Sequence, residues 1–175
     1  MRIILTGKGG SGKDHLKKYL IDHGYKPSVS CTTRPIREGE KDGVDYNFLS
    51  LEKFLKMKEL GYFLEWTHFN SWFYGTPRKN FEECEVFVMT PRIIAGLPQS
   101  IKDSSVVVYI DIPESERIKR LEARNKTGIH DIVERRLASD AADFEGFLDF
   151  DIRIKDPYFS PAQVEKIIKA YNGKD

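Results

Sequence analysis

Residues 2–14, "RIILTGKGGSGKD", join a short apolar run to a glycine-rich loop and then to the start of a helical pattern. The run "IILT" contains β-branched residues and is closed by a glycine, which is typical of a buried strand. Gly7, Gly12 and Lys13 have the spacing of a phosphate-binding loop, in which backbone N–H groups turn towards an anion at a helix N-terminus. We therefore predict a nucleotide-binding loop in which Lys13 reaches the β- and γ-phosphates as a point charge. Its predicted phosphate-binding residues are Gly7, Gly9, Gly10, Ser11, Gly12, Lys13 and Asp14.

Asp14 stands where the pattern of such loops has a hydroxyl residue. One interpretation is a carboxylate that stabilises the start of a helix through the helix dipole. Beside a polyphosphate, however, the same carboxylate would be repelled unless a cation lay between the two. Mg²⁺ takes oxygen ligands and keeps several waters, so one carboxylate can hold it directly or through water. We predict that Asp14 is a Mg²⁺ ligand.

The rest of the chain alternates between strand-like and helix-like patterns. The runs "EVFVM" (85–89) and "SVVVYIDI" (105–112) are almost continuously apolar, as expected of parallel strands covered on both faces. A helical pattern follows the glycine loop, and another follows Ser160, where we expect a capping box with Gln163. In that last helix, Val164, Ile167, Ile168 and Tyr171 are predicted to line one face. The alternation predicts an α/β fold with a parallel core sheet and helices on both faces.

Residues 31–82 interrupt this alternation and are rich in Arg, Tyr, Phe and Glu. We interpret them as a lobe inserted into the core. A later charged stretch that carries several arginines is interpreted as a helical lid. The prediction is a single domain over residues 1–175, with a core of 1–30, 83–119 and 140–175, an acceptor lobe of 31–82 and a lid at about 120–139.

Composition excludes some kinds of function. A formal net charge of +1 over 175 residues does not favour a surface that binds nucleic acid. The sequence contains no apolar run long enough to span a membrane, so we expect no membrane partner. The two cysteines, Cys31 and Cys84, have no metal-binding spacing. Reduced thiols are typical of a cytoplasmic protein, which is the location we expect.

Several separated motifs, taken in order, resemble the guanylate kinase family. They are "SVSCTTRPIREGEKDGVDYNF" (28–48), "GYFLEWTHF" (61–69), "WFYGTPR" (72–78), "RLEAR" (120–124) and "ERRL" (134–137). The resemblance covers most of the chain and implies the P-loop nucleoside monophosphate kinase fold. It also implies Mg²⁺-dependent phosphoryl transfer from ATP to GMP or dGMP, with small-molecule nucleotides as partners and a monomer or homodimer as the working form.

The same resemblance implies roles for individual residues of the acceptor lobe. A clamp on the acceptor's phosphate is expected from Arg34, Arg37, Tyr46 and Tyr74. Guanidinium groups and phenols are suitable donors for phosphate oxygens. Glu65 is expected to accept hydrogen bonds from the N1–H and 2-amino groups of guanine, which adenine lacks as a pair. Two hydroxyl residues, Ser30 and Thr76, are expected to line the base.

In the lid, the resemblance implies that arginines close over the ATP phosphates and act with Lys13 in catalysis. These residues are Arg120, Arg124 and Arg136, and Arg135 is the alternative to Arg136.

Two positions depart from the family pattern. Met89 and Pro91 stand at the end of a predicted strand where guanylate kinases usually have aspartates. We hypothesise that the metal-organising carboxylate has moved to Asp14, with Asp111 as a second candidate.

The departures resemble ribose 1,5-bisphosphate phosphokinases, so two alternatives stay open. One is a kinase of another phosphorylated acceptor, such as a different deoxynucleoside monophosphate or ribose 1,5-bisphosphate. The other is a non-catalytic binding module.

Overall fold

The computed structural model describes residues 1–69, 71–125 and 133–171, including all side chains in these ranges except those of residues 124–125 and 133–136. In chain order the elements are β1 (Arg2–Thr6), α1 (Lys13–Asp22), β2 (Cys31–Thr32), β3 (Asn47–Phe48), α2 (Leu51–Glu59), β4 (Phe63–Phe69), β5 (Trp72–Pro77), α3 (Asn80–Glu83), β6 (Val86–Val88), α4 (Pro91–Ala95), α5 (Gln99–Asp103), β7 (Ser105–Ile110), α6 (Glu114–Asn125), α7 (Val133–Asp143), β8 (Ile152–Ile154) and α8 (Pro161–Ala170).

The core sheet has the strand order β6-β1-β7-β8, and every neighbouring pair is parallel. Ile3 pairs with Val86 on one side and with Val106 on the other. All six residues of β7 are buried, as its continuous apolar run predicts for a strand covered on both faces. The predicted α/β fold is confirmed.

Alternate residues of β1 point into two separate hydrophobic clusters, as the two-residue period of a strand requires. Ile3 and Leu5 pack with Leu16 of α1 and Ile168 of α8. On the other face, Ile4 belongs to the cluster built around Phe81, Phe87, Met89, Ile94, Leu97 and Val107. The strand that enters the glycine loop is therefore fixed from both sides.

The last helix differs from its sequence prediction in two respects. Ser160 is the N-cap of α8, but its side chain makes no capping hydrogen bond, so the expected capping box is wrong. Val164 and Ile168 are buried, whereas Ile167 is 48% exposed. The helix therefore buries a narrower stripe than its apolar periodicity indicates.

A second four-stranded sheet lies within the segment predicted as the acceptor lobe. Its strand order is β3-β2-β5-β4, with a parallel β2–β3 pair and antiparallel β2–β5 and β4–β5 pairs. Helix α2 contributes Phe54 to a cluster with Cys31 and Phe63. Gly75 in β5 permits this packing, because a Cβ there would lie 2.9 Å from the Phe63 ring. The boundaries between core, lobe and lid stay a prediction.

Among the helices within the described residues, none combines the length and apolar character needed to cross a bilayer.

Candidate active site

The glycine-rich loop between β1 and α1 has a backbone that only glycine adopts easily. Gly10 and Gly12 have φ values of +77° and +102°, in the left-handed region. A Cβ on Gly7 would lie 2.6 Å from the Ile110 carbonyl oxygen, and one on Gly10 would lie 2.8 Å from that of Arg117. The glycine spacing seen in the sequence is therefore required by the strand and helix packed around the loop.

Lys13 begins α1, and its side chain curls back over the loop. Its Nζ donates to the Gly7 carbonyl at 2.5 Å and to the Lys8 carbonyl at 3.1 Å. This arrangement places an ammonium group at the mouth of the loop, where a point charge can meet phosphate oxygens.

Asp14 is exposed in the first turn of α1. Besides burial, the negative charge of Asp14 raises the pKa of Tyr46, which belongs to the segment predicted as the acceptor lobe. Burial is the main reason that the pKa of Tyr46 is raised to about 12, and the carboxylates of Asp14 and Glu40 contribute in the same direction. Tyr46 therefore stays a neutral hydroxyl donor at ordinary pH.

Arg34 and the two tyrosines predicted to clamp a phosphate lie close together. The Arg34 guanidinium carbon is 5.5 Å from the centre of the Tyr46 ring, and the rings of Tyr46 and Tyr74 are 6.0 Å apart. Arg34 is buried, with only 7% of its side chain exposed. The structure thus brings a buried guanidinium and two phenols to one place.

Glu40 joins this cluster, and sequence reasoning missed it. Its Oε1 accepts from Arg34 Nη2 at 2.8 Å, and its Oε2 accepts from the backbone N–H of Arg37 at 2.9 Å. Burial raises the pKa of Glu40, but the hydrogen bonds from Arg34 and Arg37 outweigh it and the net pKa is lowered. The carboxylate therefore holds the arginine segment in place. The only signal in the sequence was an acid in the turn "REGEKDG", which also fits a solvated loop.

A second group of polar residues brings together Glu65 of β4, Thr76 of β5 and Ser30, which directly precedes β2. The antiparallel register places Glu65 opposite Thr76. The Thr76 hydroxyl donates to Glu65 Oε1, and Ser30 Oγ lies 3.2 Å from Thr76 Oγ1. Among the described residues, Glu65 Oε2 is buried and has no hydrogen-bond partner. Burial raises the pKa of Glu65, although hydrogen bonds from Thr76 partly offset this effect. The three residues predicted to read a base are together, and one carboxylate oxygen still needs a donor.

Of the arginines predicted to close over ATP, only Arg120 has a side chain within the described residues. Arg120 of α6 lies against the outside of the glycine loop. Its Nη1 is 3.3 Å from the Gly10 carbonyl oxygen and 3.4 Å from that of Ser11. The side chains of Arg124 and Arg136, and of the alternative Arg135, lie outside the described residues, although their backbones belong to α6 and α7. The catalytic roles of all these arginines stay predictions.

A cavity of about 400 Å³ opens beside the loop and was not expected from the sequence. It is lined by Gly10, Gly12, His15, Arg120, Pro157, Tyr158 and Phe159. Aromatic rings and a guanidinium plane next to a phosphate-binding loop can stack on a flat heterocycle.

Comparison with known proteins agrees with this geometry. The sequence model of the guanylate kinase family matches residues 1–171.

The chain belongs to the guanylate kinase family.

Relatives in the family include the guanylate kinase of Sulfurimonas denitrificans, which is 36% identical over 161 residues, covering 87% of this chain and 78% of the relative. The guanylate kinase of Clostridioides difficile is 31% identical over 181 residues, covering 98% of this chain and 88% of the relative. The crystal structure of guanylate kinase from Anaplasma phagocytophilum superposes with a TM-score of 0.76 at 24% identity and covers 99% of this chain and 87% of that one. It has the same fold.

The two positions at the end of β6 that depart from the family pattern are both buried. Met89 is buried among the apolar residues below the sheet, and Pro91 is buried as the first residue of α4. Asp111, the second candidate for a relocated carboxylate, accepts from Arg153 Nε at 2.9 Å and from the Tyr109 hydroxyl at 3.0 Å. Its carboxylate is therefore engaged within the core sheet.

The residues present fit a magnesium ion that is held mainly by nucleotide phosphates. Within the described ranges, no cluster of three or more histidines, cysteines or acids could form a cage for a metal. Mg²⁺ needs only one or two carboxylates when phosphate oxygens and waters complete its octahedron. Exposed Asp14, adjacent to Lys13 in the first turn of α1, meets that requirement.

Proposed function

We propose that this member of the guanylate kinase family transfers the γ-phosphoryl group of ATP to the phosphate of GMP or dGMP. The products are ADP and the guanine nucleoside diphosphate. The observation that carries the assignment is the buried Oε2 of Glu65, which has no hydrogen-bond partner among the described residues. With Thr76 and Ser30 it would form the base pocket.

Guanine satisfies this pocket better than adenine does. Its N1–H and 2-amino groups are adjacent donors that can meet a carboxylate. Adenine presents an acceptor at N1 and no 2-amino group, so Glu65 Oε2 would stay without a donor. Leaving a buried acceptor unsatisfied costs about 1–3 kcal/mol, and more when the group is charged.

The phosphate of the acceptor would lie between Arg34, Arg37, Tyr46 and Tyr74. Glu40 holds the arginine segment, and Tyr46 stays protonated because burial raises its pKa to about 12. The attacking atom is a phosphate oxygen that is already anionic, so the reaction needs positioning rather than a general base.

On the donor side, the loop N–H groups and Lys13 would bind the ATP phosphates. Closure of the lid would move Arg120 from the outside of the loop to the transferred group. There it would act with Arg124 and Arg136 to neutralise the charge that develops. The cavity beside Arg120 would take the adenine ring. Asp14 would hold Mg²⁺, which supplies further charge neutralisation when bound. Closure of the lobe and lid would exclude water from the transferred group.

The intact loop favours a kinase over a non-catalytic binding module, because such a module has no need for Lys13 or for glycines at strained positions. The guanine-type pocket favours GMP over a sugar phosphate. A cytoplasmic location and a monomeric or homodimeric state stay predictions.

The test is the formation of ADP from ATP that depends on GMP, measured in a coupled assay. We expect turnover by the wild type. In Lys13→Ala the rate of ADP formation should fall about 100-fold or more, since removal of one preorganised group that stabilises charge typically has that effect. Lys18→Ala, which removes an exposed lysine of the same helix, is the matched control and should keep wild-type activity. ADP formation that is absent in the wild type, or unaffected in Lys13→Ala, would contradict the proposal.

A further inference from the structure

The outer side of the glycine loop is held by two residues of the lid-side helices. The Gly9 N–H donates to Asp140 Oδ2 of α7 at 2.7 Å. Arg117 of α6 lies with its Nη1 at 3.4 Å from the Gly9 carbonyl oxygen and at 3.3 Å from Asp140 Oδ2. Both polar groups of Gly9 therefore meet one ion pair, of which Arg117 is the buried member.

Because Arg117 is buried, its charge depends on the ion pair with Asp140 for compensation. Only 3% of the Arg117 side chain and 20% of the Asp140 side chain are exposed. A buried guanidinium is costly unless it is paired and hydrogen-bonded. Its other partner is Glu114, which lies 3.0 Å away and is 64% exposed, so it compensates the charge less well. Asp140 is thus the better-shielded counter-ion of Arg117.

Peptide geometry links these outer contacts to the phosphate side of the loop. In a planar trans peptide, the C=O of one residue and the N–H of the next point in opposite directions, and the described residues contain no cis peptide. The Lys8 carbonyl faces the Lys13 ammonium, so the Gly9 N–H points away from the ammonium, where Asp140 accepts it.

The same rule applies to the next two contacts. The Gly9 carbonyl faces Arg117, so the Gly10 N–H points to the opposite side of the loop. The Ser11 carbonyl faces Arg120, so the Gly12 N–H also points to that opposite side. The outer contacts therefore decide which N–H groups are presented to a phosphate.

We propose that Asp140 and Arg117 are positioning residues for the phosphoryl donor: they fix the orientation of the loop peptides and so set the affinity for ATP. The consecutive glycines Gly9 and Gly10 give the loop unusual conformational freedom, which an outside anchor removes before ATP binds. Both anchors stand on helices that carry predicted lid arginines, so they connect the lid helices to the loop. The inference rests on the proposed donor-binding role of the loop.

The experiment measures the dissociation constants of Mg²⁺-ATP and of GMP separately by calorimetry, with the melting temperature recorded for each variant. Loss of a hydrogen bond to a charged group predicts an ATP dissociation constant raised about tenfold or more in Asp140→Ala, with GMP binding unchanged. Asp140→Asn keeps an acceptor oxygen but not the charge, so we expect a rise of about threefold. Arg117→Met should also weaken ATP binding, and the double variant with Asp140→Ala should weaken it by less than the product of the two single effects.

Asp143→Asn is the matched control, because it changes another partly buried acid of α7 that has no hydrogen bond to the loop among the described residues. It should leave the ATP dissociation constant unchanged. The proposal is overturned if Asp140→Ala binds ATP as the wild type does, if ATP and GMP binding weaken equally, or if Asp143→Asn matches Asp140→Ala. Should Asp140→Ala unfold, Asp140→Asn decides in the same way: a selective rise for ATP supports the proposal, and wild-type binding overturns it.

These measurements do not require turnover. A wild type that binds ATP but does not phosphorylate GMP would count against the proposed function alone. A wild type that binds no ATP would overturn both proposals.

Discussion

Replacing Glu65 by glutamine changes a single buried group at the centre of the proposed base pocket. The carbonyl oxygen of the introduced amide can still accept from the Thr76 hydroxyl, so the contact within the protein survives. The other position then carries an NH₂ group in place of Glu65 Oε2, which has no hydrogen-bond partner within the described part of the chain. Guanine would bring its own N–H donors against that NH₂ group.

The magnitude follows from the two hydrogen bonds that guanine would donate to the carboxylate. Hydrogen bonds to charged groups are worth about 1.5–3 kcal/mol each, so the loss is at least about 3 kcal/mol, or roughly 100-fold in kcat/KM for GMP. The KM for ATP should not change, because Glu65 lies on the acceptor lobe.

The thermal stability of Glu65→Gln should not fall with its activity. The pKa of Glu65 is raised, mainly by burial and despite the hydrogen bonds from Thr76. A group whose pKa is raised on folding contributes stability below its unfolded pKa, and that contribution is lost as the pH rises through the folded pKa. Ionisation of Glu65 therefore opposes folding, and Glu65→Gln, which cannot ionise, should melt at the wild-type temperature or above it.

The assay combines coupled ADP formation at varied GMP with thermal melting of the same preparations. Glu59→Gln, the same exchange at an exposed residue of α2, is the control and should match the wild type in both measurements. The reasoning is refuted if Glu65→Gln keeps GMP kcat/KM within about threefold of the wild type. It is also refuted if activity falls only together with the melting temperature.

Three further predictions concern the acceptor lobe. Tyr46→Phe removes a phenol donor and should raise the KM for GMP by about tenfold with the KM for ATP unchanged, while the exposed control Tyr62→Phe should change neither KM. Glu40→Gln should lower the free energy of unfolding near pH 7 by about 1–3 kcal/mol, measured by urea titration. Because folding lowers the pKa of Glu40, the difference between variant and wild type should shrink as the pH falls through the folded pKa. A difference that grows on acidification would contradict this prediction. Gly75→Ala would press a methyl group onto the Phe63 ring at 2.9 Å and should cost about 1–3 kcal/mol in the same titrations, so an unchanged midpoint would argue against the close packing of β5.

The core could be predicted from the sequence because its strands are buried on both faces and leave continuous apolar runs, such as "SVVVYI" in β7. The glycine loop was also visible, since the required backbone conformations force glycine at fixed positions. The face of α8 was less predictable. Ile167 has the right period for the buried stripe but is exposed.

The contacts that hold the site were not visible in the sequence for a different reason. The Gly9–Asp140 hydrogen bond joins residues 131 positions apart, and Asp140 by itself fits the solvated face of a helix. Glu40 similarly fits an exposed turn until the fold places it on Arg34. Such ion pairs depend on tertiary proximity, which neither composition nor periodicity reports.

The proposed function makes this chain a phosphotransferase that is selective for guanine mononucleotides. The most direct measurement is the wild-type kcat/KM with ATP for each ribo- and deoxynucleoside monophosphate and for ribose 1,5-bisphosphate. The structure predicts that GMP or dGMP exceeds AMP and the sugar bisphosphate by about 100-fold or more, since a buried carboxylate rejects an acceptor that leaves it unpaired. Equal efficiency with AMP, or a preference for ribose 1,5-bisphosphate, would contradict the account.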